Sequence, residues 1–391
     1  MIRVAEDTVA ALPDAVDPLA LSLNENPFSP LPAVRSALIS AIDSANRYPE
    51  FLPERLRRLI ATRIGLAEEQ VVLGPGATGV AMQLLHAVTE PGDRIAMATP
   101  TFDGYPIMAG MARLQPVMVP LDQHGCHQLD ALADTAADAK VVVLCRPHNP
   151  TGTIESTFEV NRFLAAVPSD TIVVLDEAYI EFVAPGFRLD ARMLIRKYPN
   201  VLVLRTFSKA YGLAGLRIGY GFGSADLTSR LWRMQLPFGM DSTSLVAVAA
   251  SYDAERQLQR RIRVIAAERR YLRMRLRAMG VYVTEGHANF VYLPPAHRPW
   301  REVFDPAGLR VRHYADGGVR ITVGGTGGRP ERCSGGGGRT TVVPYGVRRC
   351  GMNGRMAESL PSPPKPDPIA AARRNWERAG WGVMSPRAWW R

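Results

Sequence analysis

Short runs of aliphatic and β-branched residues recur along the first 324 positions, separated by longer stretches with apolar residues three and four apart. The short runs predict strands at Val71–Leu73, Arg94–Ala98, Pro116–Val119, Lys140–Cys145, Thr171–Leu175, Val201–Leu204 and Leu216–Gly221. Several are apolar throughout, the pattern of a strand covered on both faces. The longer stretches predict helices, among them Gly79–Val88 and Thr157–Val167. Alternation of the two predicts an α/β fold, a mainly parallel sheet between helices. A stretch rich in Ala, Arg and Leu from Leu245 to Met279 predicts one long helix leading to a smaller unit. Strands are expected in that unit near Val281–Thr284, Asn289–Leu293 and Val319–Val323. There is no internal repeat.

Composition agrees with a large folded body. The 391 residues are 47% apolar and 21% charged, which excludes a wholly disordered chain. No apolar run reaches the roughly 18 residues of a membrane span. The first 17 residues carry Glu6, Asp7, Asp14 and Asp17 and do not read as a signal peptide. Cys126, Cys145, Cys333 and Cys350 show no CxxC spacing, so neither a metal site nor a disulfide frame is expected, and a reducing cytoplasm is. The net charge of +10 suggests nucleic acid until it is located: residues 325–391 hold +8 of it. The same tail holds 12 of the 34 Gly, 8 of the 31 Pro and 4 of the 6 Trp. So sharp a break marks a segment of different origin or state, disordered, fused or translated in a shifted frame. Its arginines beside Trp376, Trp381, Trp389 and Trp390 leave a single-strand nucleic-acid contact as a remote reading. No recognised nucleic-acid motif accompanies them, so neither nucleic acid nor membrane is expected as a partner.

The segment richest in chemistry runs from Arg205 to Tyr220, directly after a predicted buried strand. Open α/β sheets place ligands at that end of a strand. Lys209, with Thr206 and Ser208 before it and Arg217 eight residues on, suits an aldehyde cofactor that carries a phosphate. The amine forms an imine with the aldehyde, the hydroxyls meet phosphate oxygens, and the guanidinium adds a charge-assisted contact. Alone, Lys209 reads equally as a solvated loop lysine. Other strand ends carry further candidates: Asp176-Glu177-Ala178-Tyr179, Asn149-Pro150-Thr151-Gly152, Gly74-Pro75-Gly76-Ala77-Thr78-Gly79 and Thr99-Pro100-Thr101-Phe102. Each has a plain alternative: a helix-capping Asp, an Asn-Pro turn, a glycine-rich connector, a core Phe.

Taken in order, these motifs resemble the fold-type-I pyridoxal-phosphate aminotransferases, within them the histidinol-phosphate aminotransferase group and its aromatic, phenylalanine-type branch. The likeness runs from about Leu21 to Gly324. It implies a large domain over 47–258 built on a mainly parallel seven-stranded sheet. A small α+β domain over 259–324 joins an N-terminal arm and helix over 1–46, and the tail over 325–391 stands apart. It implies that Asp176 pairs with the pyridine nitrogen, that Tyr179 and Asn149 share the phenolic oxygen, and that Phe102 stacks on the ring. Gly76, Ala77, Thr78, Thr206, Ser208 and Arg217 fall to the phosphate. His148 stands where relatives often have Asn and is given no catalytic role. Tyr48, in Asn46-Arg47-Tyr48-Pro49, matches a residue that crosses a homodimer interface to the neighbour's cofactor phosphate, with a surface turn as the alternative. Arg320 matches the substrate-carboxylate arginine. Arg312 matches a position that helps hold the substrate phosphate in histidinol-phosphate enzymes, or is a solvated strand arginine. Asn24, in Leu23-Asn24-Glu25-Asn26-Pro27-Phe28, folds over the site entrance.

The implied reaction is ping-pong transamination. Lys209 holds pyridoxal 5'-phosphate, is displaced by the donor amine and then moves the Cα proton. A 2-oxo acid, 2-oxoglutarate by resemblance, takes the amino group. Aromatic amino acids and histidinol phosphate both remain as donors, the former favoured by the surroundings of Lys209 and by Ala288-Asn289-Phe290-Val291-Tyr292-Leu293-Pro294. An impaired cofactor-binding protein, through the aberrant tail, and a decarboxylase on the same scaffold are the other readings.

Overall fold

The computed structural model describes residue 17 and residues 19–324. The expectations for the tail, and for the start of the arm, lie outside the described residues. Ten strands are present among them: β1 (Val71–Pro75), β2 (Arg94–Thr99), β3 (Gln115–Pro120), β4 (Val141–Cys145), β5 (Ile172–Asp176), β6 (Val201–Thr206), β7 (Ile218–Phe222), β8 (Phe290–Leu293), β9 (Arg312–His313) and β10 (Val319–Thr322). The helices are α1 (Pro32–Ala41), α2 (Glu54–Ile64), α3 (Gly76–Val88), α4 (Gly104–Met111), α5 (Leu129–Ala136) and α6 (Thr157–Ala166). They continue with α7 (Ala191–Lys197), α8 (Ala225–Trp232), α9 (Ser244–Asp253), α10 (Glu255–Ala278) and α11 (Arg301–Phe304).

The first seven strands form one sheet in the order β1-β7-β6-β5-β4-β2-β3. Strands β3, β2, β4, β5 and β6 are parallel, while β7 runs against both β6 and β1. Two reversals leave β1 pointing the same way as β6. The carboxyl ends of β1, β2, β4, β5 and β6 therefore share one edge, and β7 starts there, with Ile218 opposite Pro75 and Gly219 opposite Thr206. This fold class is the one expected from the alternation of apolar runs.

Side chains alternate across the sheet, so each strand feeds two cores. Leu73, Val142, Leu144, Val173, Leu175 and Val203 face a layer that includes Ile60 of α2, Phe163 of α6, Leu194 of α7 and Leu258 of α10. Val72, Met97, Val143, Val174 and Leu204 face Leu84 of α3, Met108 of α4 and Leu231 of α8. Both faces are covered, which is why the strands read as unbroken apolar runs. Local signals set the helix starts: at α6 the Ser156 hydroxyl accepts the Glu159 N–H at 3.2 Å, and the Glu159 carboxylate accepts the Ser156 N–H at 2.7 Å.

A second sheet, in the order β8-β10-β9, gathers its own core of Val291, Leu293, Trp300, Phe304, Val319 and Ile321. Two expectations fail here. The single helix over 245–279 is two, because Ala254 leaves helical geometry (ψ 20°) with neither Gly nor Pro to announce it. No strand forms over 281–284. Val281 and Val283 are buried, but the Thr284 hydroxyl donates to Thr151 O at 2.6 Å, tying the segment to the Asn-Pro turn. The third strand is β9, which pairs with β10 in the register Arg320↔Arg312.

Leu144 is fully buried at the centre of the large sheet. Replacing it by Ala removes packed methyl groups that the flanking layers cannot replace, and is expected to cost about 2–5 kcal/mol. The urea-unfolding midpoint measures this; an unchanged midpoint would contradict the packing described.

Candidate active site

The shared edge brings five separate segments together. Asp176, the last residue of β5, is buried. Its Oδ2 accepts the Tyr105 hydroxyl at 2.7 Å and its Oδ1 accepts the Ala178 N–H at 3.0 Å. Burial raises the Asp176 carboxyl above its ordinary value, and these two bonds oppose the rise. Tyr105 is itself raised well above its ordinary range, first by burial and then by Asp176, so its hydroxyl keeps its proton and donates. Tyr105 was not singled out from the sequence. The available signal was an aromatic three residues after Phe102, on the first turn of the following helix. Phe102 is half-buried and meets the Tyr105 ring edge-on at 5.8 Å.

A polar cluster gathers around Tyr179, three residues after Asp176. The Tyr179 hydroxyl accepts Asn24 Nδ2 at 2.9 Å and Asn149 Nδ2 at 3.3 Å. Burial raises the Tyr179 hydroxyl, while Arg320 and the Asn24 bond act against this. Arg320 is buried on β10 and donates to Asn149 Oδ1 and to Ser22 O, each at 2.5 Å. Its Nε has no hydrogen-bond partner among the described residues. The arm closes this side: Asn26 Nδ2 donates to Lys209 O and Ala210 O, and Asn289 Nδ2 donates to Asn24 O.

Lys209 is half-buried, and its Nζ donates to Leu23 O at 2.9 Å. Burial lowers its ammonium to about 8, Arg320 pushes the same way, and Glu25 opposes. Beyond it, Thr206 Oγ1 donates to Ser208 Oγ at 2.9 Å, and Arg217 Nη1 reaches Ser208 Oγ at 3.3 Å. Arg217 holds φ +52°, a conformation that side chains rarely adopt and that the fold must enforce. The amino end of α3, at Gly76, Ala77 and Thr78, faces the same place. Pro75 at its N-cap supplies no capping side chain. Gly76 has φ +78°, and a Cβ there would strike the Arg217 guanidinium; a Cβ at Gly219 would strike the backbone of Gly76 and Ala77. Gly76 is thus favoured as glycine by its left-handed backbone and Gly219 by close approach to backbone.

A buried carboxylate, a phenol–amide pair, a lysine of lowered basicity and an uncapped helix start beside an arginine occupy one strand edge. The model of the family described as Aminotransferase class I and II matches residues 16–332. The chain belongs to that family. It is 41% identical over 315 residues to an aromatic amino acid aminotransferase of Streptomyces avermitilis, covering 79% of this chain and 88% of that one. An aromatic amino acid aminotransferase of Rhodococcus opacus is 41% identical over 328 residues, covering 82% and 91%. Among solved structures, histidinol-phosphate aminotransferase from Sinorhizobium meliloti, in complex with pyridoxal-5'-phosphate, superimposes with a TM-score of 0.72 at 26% identity, covering 78% of this chain and 86% of that one. The chain is a pyridoxal-phosphate-dependent aminotransferase.

Tyr48 stands apart from the aminotransferase cluster, whereas Arg312 sits at its margin as the strand partner of Arg320. Tyr48 is 84% exposed, with its ring 4.9 Å from that of Phe238. Arg312 lies on β9 and pairs with Asp103 at 2.9 Å. His148 is buried against His127, with Nε2 3.0 Å from Pro100 O. No metal-binding group of His, Cys, Asp and Glu occurs among the described residues.

The lowered basicity of Lys209 is measurable. A depressed value favours the neutral amine, so in cofactor-free protein its reactivity toward an amine reagent should rise with a midpoint near pH 8. Arg320→Gln removes a neighbouring positive charge and should move that midpoint up. Labelling rates followed on the Lys209 peptide check both; a wild-type midpoint at the ordinary 10.5 would contradict the environment described.

Proposed function

We propose that the enzyme transfers the amino group of an aromatic amino acid to a 2-oxo acid, 2-oxoglutarate in the first instance, by a ping-pong route centred on Lys209. The observation that carries this is the placement of Lys209 Nζ, lowered to about 8, in one site with the buried Asp176 carboxylate and the buried Arg320 guanidinium. The donor class is supported by the aromatic amino acid aminotransferases at 41% identity.

The residues fit pyridoxal phosphate. The Gly76–Thr78 helix start, Thr206, Ser208 and Arg217 would hold the phosphate: the Gly76 N–H is taken by Arg217 O at 2.9 Å, but the first-turn N–H groups after it and the Arg217 guanidinium converge on one place. Asp176 would hold the ring nitrogen, Asn149 and Tyr179 the phenolic oxygen, and Phe102 one ring face. Bound there, the cofactor supplies an aldehyde for the donor amine and a protonated ring that accepts the electrons left at Cα. Asp176 keeps the proton on that nitrogen, and Tyr105 fixes the carboxylate in place. Lys209 Nζ would hold the cofactor's aldehyde carbon and, as a neutral amine, would serve as the base that takes the Cα proton. Arg320 binds the donor and acceptor carboxylates, a match of planar guanidinium to two oxygens. The arm at Leu23–Asn26 shields the site from water. In this reading residues 47–258 form the cofactor domain, and residues 259–324, with the arm that ends at 46, close on the substrate.

We also assign the working form as a homodimer in which Tyr48 reaches the neighbour's cofactor phosphate. The exposed cluster of Tyr48, Phe51 and Phe238 supports this. A cytoplasmic setting accords with the free thiols of Cys126 and Cys145.

Turnover of phenylalanine, tyrosine and histidinol phosphate with 2-oxoglutarate tests the reading. Aromatic donors are expected to lead, and Lys209→Ala to lower kcat by about a thousandfold or more. Borohydride reduction with pyridoxal phosphate should attach the cofactor to the Lys209 peptide. An unlabelled peptide and no donor-dependent absorbance change would refute it.

A further inference from the structure

Two arginines are cross-strand neighbours on the small sheet. Arg320 and Arg312 are register partners on β10 and β9, so their side chains leave the same face. Both flank one phenol: the Tyr314 ring centre is 6.0 Å from the Arg320 guanidinium carbon and 5.9 Å from that of Arg312. Their commitments differ. Arg320 is buried, and its Nε has no partner among the described residues. Arg312 is tied to Asp103, which follows Phe102 on the other sheet's edge.

We propose that Asp103 is a specificity residue: by pairing with Arg312 it withholds the second cation that a phosphate monoester requires, and so reserves the site for donors that present a carboxylate there. The assignment rests on the amino-transfer reading above and names the feature that selects its donor. A carboxylate has one charge and two oxygens, which one guanidinium satisfies. A phosphate monoester carries close to two charges at neutral pH and three acceptor oxygens. Arg320, Arg312 and Asp103 together present one net positive charge, which suits the carboxylate. Without the Asp103 carboxylate they present two, which suits the phosphate. Both partners of the pair are nearly half exposed, and such pairs contribute little to folding. The selection is therefore by rejection, through a like charge beside the wrong ligand.

The test uses cofactor-loaded enzyme. In Asp103→Asn the ratio of kcat/KM for histidinol phosphate to that for phenylalanine should rise about tenfold or more. Asp103→Glu, which retains a carboxylate, should stay with the wild type. Adding Arg312→Gln to Asp103→Asn should cancel the gain. Calorimetric binding of two unreactive probes, phenyl phosphate and phenylpropionate, reads the same preference without turnover. A ratio unchanged in Asp103→Asn, or a gain that survives loss of Arg312, overturns the assignment. A protein that turns over neither donor, yet gains phosphate affinity about tenfold in Asp103→Asn, keeps the assignment and loses the amino-transfer reading.

Discussion

A carboxylate taken out of water needs hydrogen bonds to remain charged, and Asp176 is buried where only the fold can provide them. One oxygen is met by Ala178, two residues along the chain; the other is met by Tyr105, from a different strand–helix unit. That second bond requires β2 and β5 to end at the same edge, with β4 between them. Parallel pairing of β2, β4, β5 and β6 supplies this alignment, and the helices on both faces keep water from the strands below. The sheet is thus the device that sets a buried, hydrogen-bonded acid in one site with a lysine held below its ordinary basicity.

The remaining machinery arrives from distant parts of the chain. Leu23 meets Lys209, Asn24 meets Tyr179, and Ser22 meets Arg320. These contacts join the arm, the large sheet and the small sheet around one polar cluster. Several of them use backbone carbonyls, which any residue type could offer. The arm is consequently held by its path and by the asparagines at 24 and 26, which bond across to loops at the edge of the large sheet.

Most of the large sheet was legible because its strands are covered on both faces, and such strands announce themselves as unbroken apolar runs. The strand ends were legible too, since Asp176, Asn149 and Lys209 follow those runs directly. The small unit was less so. Thr284 belongs to a stretch with an apolar pattern, yet its hydroxyl is taken by Thr151 and no ladder forms. Arg312 sits in a two-residue strand, too short for any periodicity. Ala254 breaks a helix at a residue that favours helices, and neither Gly nor Pro marks the break. Tyr105 escaped notice because a tyrosine in an apolar helix reads as core, and its hydroxyl's partner lies 71 residues away.

By itself the sequence determined the chemistry on offer and the class of fold: a lysine after a buried strand, an acid at the end of another, glycines where backbone must approach a ligand, and apolar runs that accept only a covered sheet. Tertiary structure decided how those groups act on one another. Whether Lys209 is less basic than usual, whether Arg320 keeps a free nitrogen and whether Arg312 is neutralised by Asp103 depend on burial and on neighbours many residues away. Local pattern specifies which groups are present; electrostatic character depends on what surrounds them, and only folding fixes that.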